Sequence, residues 1–200
     1  MNLPNKLTLS RIFLTFIFML FLFSRGLTAK TMALVVFLTA SLTDLYDGYI
    51  ARKYNIITDF GKFMDPIADK ILVLAAFSAF IELGLVPAWM VVLIVLREFV
   101  ITGLRLLALT KSIVLPAQEG GKHKTISQMA AIFIILLSLV LKEIGMKSPL
   151  LWSAAVEGYF RNIIFIVMFI TTAFTLISGS SFLYRNRRLF NFRKNDTRTD

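Results

Sequence analysis

Asp44 and Asp47 stand three residues apart, Asp65 and Asp69 four apart, and together they are four of the seven aspartates in a chain of 200 residues. On a helix either spacing puts both members of the pair on one face. Two consecutive antiparallel helices joined by a short polar turn bring the four carboxylates to one depth. Four negative charges in a low-dielectric site repel unless they are protonated or bound to cations, and a set of hard oxygen donors suits Mg2+ or Mn2+. Two pairs can hold two ions, the arrangement that clamps the oxygens of a phosphoryl displacement. Gly48 and Ala51 keep the adjoining face small enough for close approach of a ligand or a neighbouring backbone, and Arg52 can pair with a phosphate.

Two blander readings stand beside this one. Asp44, Asp47 and Gly48 can be a helix-end turn, with Asp65 capping a helix that starts at Pro66. A proton-coupled transporter also uses buried carboxylates. The basic residues discriminate, because Arg52, Arg97, Arg105, Lys122 and Lys124 around the acids suit a bound polyanion better than a proton path.

The elements that must position these residues follow from the composition. The chain is 57% apolar and 17% charged, with a mean hydropathy of +0.75, 19 Phe and no Cys. Soluble domains carry about 25% charged residues, so these values exclude a disordered chain and argue for an integral membrane protein. Without Cys, disulfides, thiolate metal sites and a Cys nucleophile are excluded. Uncharged stretches run 12–24, 31–43, 71–81, 83–96, 125–141 and 162–184, and a spanning helix needs about 20 mostly apolar residues. Only the last two approach that length alone; the other four reach it by taking charged residues into one end. The pattern predicts an all-α fold of six transmembrane helices, approximately 7–24, 31–53, 62–82, 86–109, 123–142 and 160–182. Breaks are predicted at Gly26 with Thr28, Gly61, Gly84 with Pro87, Pro116 with Gly120 and Gly121, and Gly145 with Pro149. Residues 1–184 form the membrane domain, and 185–200 a basic cytoplasmic tail lying on anionic lipid. The first apolar stretch lacks a small-residue cleavage site and is expected to be retained.

With the N-terminus inside, fourteen Lys and Arg fall in cytoplasmic segments and five in the opposite ones, which places both termini in the cytoplasm. Arg11, the four aspartates, Arg97, Arg105, Lys122 and Lys124 then all lie toward that side. A charge at membrane depth costs about 2.5–3.5 kcal/mol, so five helices bearing such charges at one end predict a common polar cavity facing the cytoplasm. Arg97 and Arg105 are about 80° apart around a helix, so both can face it, and with Lys122 and Lys124 they can hold a second phosphate. An ion pair of Arg97 with Glu98 or Glu119 is the simpler alternative. The net charge of +10 is assigned to polyanionic substrates and anionic lipid rather than nucleic acid, for which no reader fold is visible.

The stretch DLYDGYIARKYNIITDFGKFMDPIADK reads D-x2-D-G-x2-A-R-x8-G-x3-D-x3-D from Asp44 to Asp69. It resembles the signature of the CDP-alcohol phosphatidyltransferases at all eight fixed positions. NLPNKLTLSRI, REFVITGLRLLA and GKHKTISQM are similar to the bacterial branch that makes phosphatidylglycerophosphate, so the likeness runs from about residue 2 to about residue 130. His123 stands where that branch is expected to carry an aromatic residue, and is given no catalytic role.

The resemblance implies transfer of a phosphatidyl group from CDP-diacylglycerol to sn-glycerol 3-phosphate with release of CMP. It implies that Asp44, Asp47, Asp65 and Asp69 hold the divalent metal, that Asp69 also acts as base, and that Gly48, Ala51, Arg52 and Gly61 line the CDP moiety. It further implies a homodimer in a bacterial-type cell membrane. Siblings in the family that use phosphatidylglycerol, inositol phosphate or serine share the motif, so the acceptor rests on the basic residues of REFVITGLR and GKHKT.

Overall fold

The computed structural model describes the backbone of residues 3–54, 59–110, 119–147 and 152–187, and the side chains of 9–43, 70–108, 124–147 and 152–187. Among the described residues the fold is all-α, with six helices: α1 (Leu3–Phe23), α2 (Leu27–Tyr54), α3 (Asp59–Glu82), α4 (Ala88–Thr110), α5 (Glu119–Met146) and α6 (Ala154–Arg185). The number and order of helices agree with the hydropathy pattern. Most of the helices run longer than the apolar stretches, because backbone hydrogen bonding does not stop where charge begins. Gly61, Gly120, Gly121 and Gly145, expected in breaks, lie instead in terminal turns of α3 and α5, where glycine interrupts fewer backbone hydrogen bonds. The start of α6 is set by Ser153, whose Oγ accepts from the Val156 amide at 3.3 Å, with Glu157 in the first turn.

Two expected breaks are built on left-handed glycines, Gly26 (φ +96°) and Gly84 (φ +67°). At Gly84 the Leu85 amide donates to the Phe80 carbonyl and the Gly84 amide to the Ile81 carbonyl, each at 2.9 Å. This 6→1 and 5→2 pair ends α3 and satisfies its last carbonyls. After Gly26 the buried Lys30 donates from Nζ to the Leu22 carbonyl at 2.6 Å, placing a cation at the negative end of the α1 dipole.

α1 packs on α2 and α3, α2 on α5, α5 on α6, and α6 on α4, while α3 also touches α5 and α4. Phe18, Phe37, Phe77, Phe80, Met90 and Ile135 fill the core, and Ala33, Ala40, Ala76 and Ala131 are fully buried among them. Small residues at these contacts let backbones approach closely. The outer faces are apolar too: Phe13 and Phe16 of α1, Leu42 of α2, Phe99 of α4 and Ile177 of α6 are all exposed. Among the described residues, two helical segments, Lys124–Met146 and Ala154–Arg185, are long and apolar enough to cross a membrane, and Leu9–Phe23 and Leu27–Thr43 are shorter apolar helical stretches.

Described charges collect at two ends of the bundle. Lys30, after the first turn, feels the charge of Glu143 near the end of α5, and Lys142 pairs with Glu157 across the following turn. Lys70, Arg97, Glu98 and Lys124 form the other group.

Gly84→Ala adds a Cβ with no atom within 4 Å, so its effect isolates the backbone. The left-handed conformation costs a non-glycine residue about 1–2 kcal/mol. For a chain of this size each kcal/mol lowers the thermal midpoint by about 2–4 °C, to be read from unfolding of the purified protein in detergent. An unchanged midpoint would remove the left-handed cap from the account of this turn.

Candidate functional site

The helical backbone carries the acidic motif on two neighbours in sequence. Asp44, Asp47, Gly48, Ala51 and Arg52 belong to the C-terminal part of α2, and Gly61, Asp65 and Asp69 to the N-terminal part of α3. Both aspartate pairs therefore have the helical spacing that puts them on one face of their helix. Their side chains lie outside the described residues, as do those of Lys122 and His123 at the start of α5. Among the described residues there is no cluster of His, Cys, Asp or Glu able to hold a metal ion. The four-carboxylate donor set is chemically suited to Mg2+ or Mn2+.

The basic residues are described in detail on α4 and α5. Glu98, 8% exposed, is the hub. Its Oε1 accepts from Arg97 Nη1 at 3.2 Å and pairs with Lys124 Nζ, which reaches across from α5. Arg97 Nη2 donates to Ser178 Oγ on α6 at 3.0 Å. One carboxylate thus ties together three helices and draws two cations to a single oxygen. Burial makes this necessary, since an unpaired charge in an apolar interior costs several kcal/mol. Lys70, which follows Asp69 directly, is close enough for its charge to act on Lys124. Lys124 therefore lies toward the stretch of α3 that bears the acidic motif.

Gly179 makes room for this arrangement. A Cβ there would stand 2.8 Å from Arg97 Cγ and 3.2 Å from its Nε, which is buried and has no hydrogen-bond partner among the described residues. Arg97 also borders a cleft of about 180 Å³ between α4 and α6, lined mainly by Leu93, Leu96, Val100, Leu176 and Leu183. Two turns along α4, the exposed Arg105 lies with its guanidinium 6.0 Å from the Phe182 ring centroid, within cation–π range. Both arginines therefore face α6, as their angular separation allows. Arg97 makes the Glu98 pair named as an alternative in the sequence, and Lys124 joins it.

A polar seam continues inward from this group. Gln128, 3% exposed and one turn from Lys124, donates from Nε2 to Thr175 Oγ1 at 3.5 Å. Thr171 Oγ1 bonds the Val167 carbonyl at 2.8 Å and the Ser127 carbonyl at 3.4 Å. Sequence reasoning passed over α6, although Thr171, Thr175 and Ser178 with Gly179 recur at helical spacing in an otherwise apolar run. That stripe was the available signal. Glu98 was visible only as a partner for Arg97, because its second contact depends on how α5 docks.

The whole-chain comparisons extend beyond the motif. The family model described as CDP-alcohol phosphatidyltransferase matches residues 1–177, covering α1 to α5 and most of α6. A Bacillus subtilis protein named CDP-diacylglycerol–glycerol-3-phosphate 3-phosphatidyltransferase is 45% identical over 148 residues, 68% of this chain and 77% of its own length. Proteins of the same name match from Rickettsia felis, 35% identical over 94% of this chain and 97% of their own length, and from Mycoplasma pneumoniae, 34% identical over 88% and 84%.

Gly179→Ala must push Arg97 off its present path, with an expected loss of about 1–3 kcal/mol for overpacking. Gly158→Ala, on the same helix with no atom within 4 Å of the added Cβ, serves as the control and leaves stability unchanged or slightly raised. Thermal unfolding of both variants in detergent checks the difference; equal midpoints would mean that Arg97 does not depend on the small residue beneath it.

Proposed function

This chain belongs to the CDP-alcohol phosphatidyltransferase family, and from that premise we propose that it transfers the phosphatidyl group of CDP-diacylglycerol to sn-glycerol 3-phosphate, releasing CMP and forming phosphatidylglycerophosphate. The observation that carries this reading is the eight-position motif from Asp44 to Asp69, on the helical backbone of α2 and α3. The names of the relatives support the acceptor.

The chemistry follows from the residue types. The acceptor hydroxyl oxygen attacks the phosphatidyl phosphorus, the new P–O bond forms, and the pyrophosphate P–O bond breaks with its electron pair leaving on CMP. Asp69 takes the hydroxyl proton as general base. Asp44, Asp47, Asp65 and Asp69 would hold one or two divalent cations, which supply neutralisation of the non-bridging oxygens and of the departing CMP. Gly48, Ala51 and Gly61 leave room for the CDP moiety beside them, and Arg52 pairs with its phosphate. Arg97, Arg105, Lys122 and Lys124 receive the phosphate of the acceptor. Two cations on one carboxylate, Arg97 and Lys124 on Glu98, leave an excess of positive charge that suits such an anion.

The setting we propose is a bacterial-type cell membrane crossed by all six helices of a 1–184 catalytic domain, with termini and site on the cytoplasmic side and residues 185–200 on anionic lipid. The exposed apolar faces of the helices support it, since lipid is the solvent that such faces require. The family likeness adds a homodimer.

Purified protein in detergent, supplied with CDP-diacylglycerol and Mg2+ or Mn2+, is expected to release CMP with glycerol 3-phosphate and not with serine, inositol phosphate or phosphatidylglycerol. Chelation of the metal should stop the release. Turnover with serine but not glycerol 3-phosphate would overturn the acceptor, and no release with any acceptor would overturn the enzyme reading. Asp69→Asn is expected to abolish turnover while retaining CDP-lipid binding; a near-normal rate in that variant rejects Asp69 as the base.

A further inference from the structure

A site that binds an anion gains nothing directly from a carboxylate, yet Glu98 sits among the cations of α4 and α5. Its contacts explain why. Arg97 and Lys124 belong to different helices, and their charges repel each other. Both bind the same oxygen of Glu98, so the repulsion is overcome and the two cationic heads converge. The opposite edge of the guanidinium is held by Ser178 Oγ at 3.0 Å, and the missing side chain of Gly179 leaves space for the arginine stem. An arginine has five N–H donors and a lysine three, so each keeps donors for a second partner after binding Glu98.

We infer that Glu98 is a positioning residue for the acceptor: it brackets Arg97 and Lys124, with Ser178 steadying Arg97, so that both can grip one phosphate monoester. This rests on the proposed transfer to glycerol 3-phosphate. Glu98 acts through the two cations and takes no proton in the reaction. Neutralising it lets Arg97 and Lys124 separate, which weakens capture of the doubly charged acceptor and leaves capture of CDP-diacylglycerol, assigned to α2 and α3, largely intact.

The test is steady-state CMP release by the full chain in detergent, varying each substrate at saturation of the other, for the unaltered protein and for Glu98→Gln, Glu98→Asp and Ser178→Ala. Glu98→Gln is expected to raise KM for glycerol 3-phosphate about ten-fold or more, with KM for CDP-diacylglycerol changed by less than about two-fold. Glu98→Asp should recover most of that loss, because it restores the charge. Ser178→Ala removes the hydrogen bond that the Arg97 guanidinium donates to the hydroxyl and should raise the same KM about three-fold or more. If Glu98→Gln does not fold, Ser178→Ala decides. A parallel rise of both KM values, or a fall in kcat alone, would reduce Glu98 to a structural tie and overturn the inference. An unaltered protein that releases no CMP with glycerol 3-phosphate fails the functional reading itself, whereas one that turns over while the variants keep their KM fails only the inference.

Discussion

Charge inside an apolar helix bundle must be paired or placed where a ligand will pair it, and the Glu98 carboxylate is where this chain meets that demand most visibly. Arg97 comes from the same helix, Lys124 from α5, and Arg97 reaches onward to Ser178 of α6. The helix contacts at this end are therefore ionic and hydrogen-bonded, in contrast to the Phe and Ala packing of the core. In the membrane setting proposed above, lipid offers no hydrophobic drive between helices, and polar ties of this kind fix the rotation of α4, α5 and α6 about their axes. Rotation of α4 by half a turn would carry Arg97 and Glu98 together away from their neighbours, taking the carboxylate from Lys124 and Ser178 from Arg97.

The opposite end of the bundle meets the same constraint by other means. Lys30 spends its charge on the carbonyl end of α1, close to Glu143, and Lys142 pairs with Glu157 at the surface. These contacts close turns. The contrast assigns the work: one end has local ion pairs, while the other has two cations on one carboxylate, a third cation nearby and the acidic motif on the adjoining segment of α3.

Much of this was legible in the residues themselves. The number of helices follows from six uncharged stretches, and the turns at Gly26 and Gly84 from the need for a left-handed residue at a tight reversal. The aspartate spacing was readable because i,i+3 and i,i+4 relations survive any rotation of a helix. Helix ends were misjudged where charge and glycine were taken as a boundary, since α5, expected over 123–142, runs from Glu119 to Met146 through Gly120, Gly121, Lys122 and Glu143. What could not be read was pairing between helices. Lys124 with Glu98, and Gln128 with Thr175 47 residues away, depend on which faces meet, and several dockings satisfy one hydropathy pattern equally well.

Segregation of sign between helices also bears on the chemistry proposed here. A metal-binding acid cluster and a phosphate-binding basic cluster must be close enough for one substrate to meet the other, yet direct pairing between them would cancel both. In this chain the motif acids are carried by α2 and α3 and the cations proposed to hold the acceptor by α4 and α5, and the charge of Lys70, beside Asp69, acts on Lys124 where α3 and α5 touch. Glu98 gives Lys124 a partner on the basic side, within hydrogen-bonding reach and already desolvated. On the proposed reading, Lys124 is thereby kept from neutralising a carboxylate assigned to the metal, at the cost of one extra negative charge near the acceptor. That cost is smaller than the loss of a ligand from the metal site, because the pair retains donors that an incoming phosphate can use.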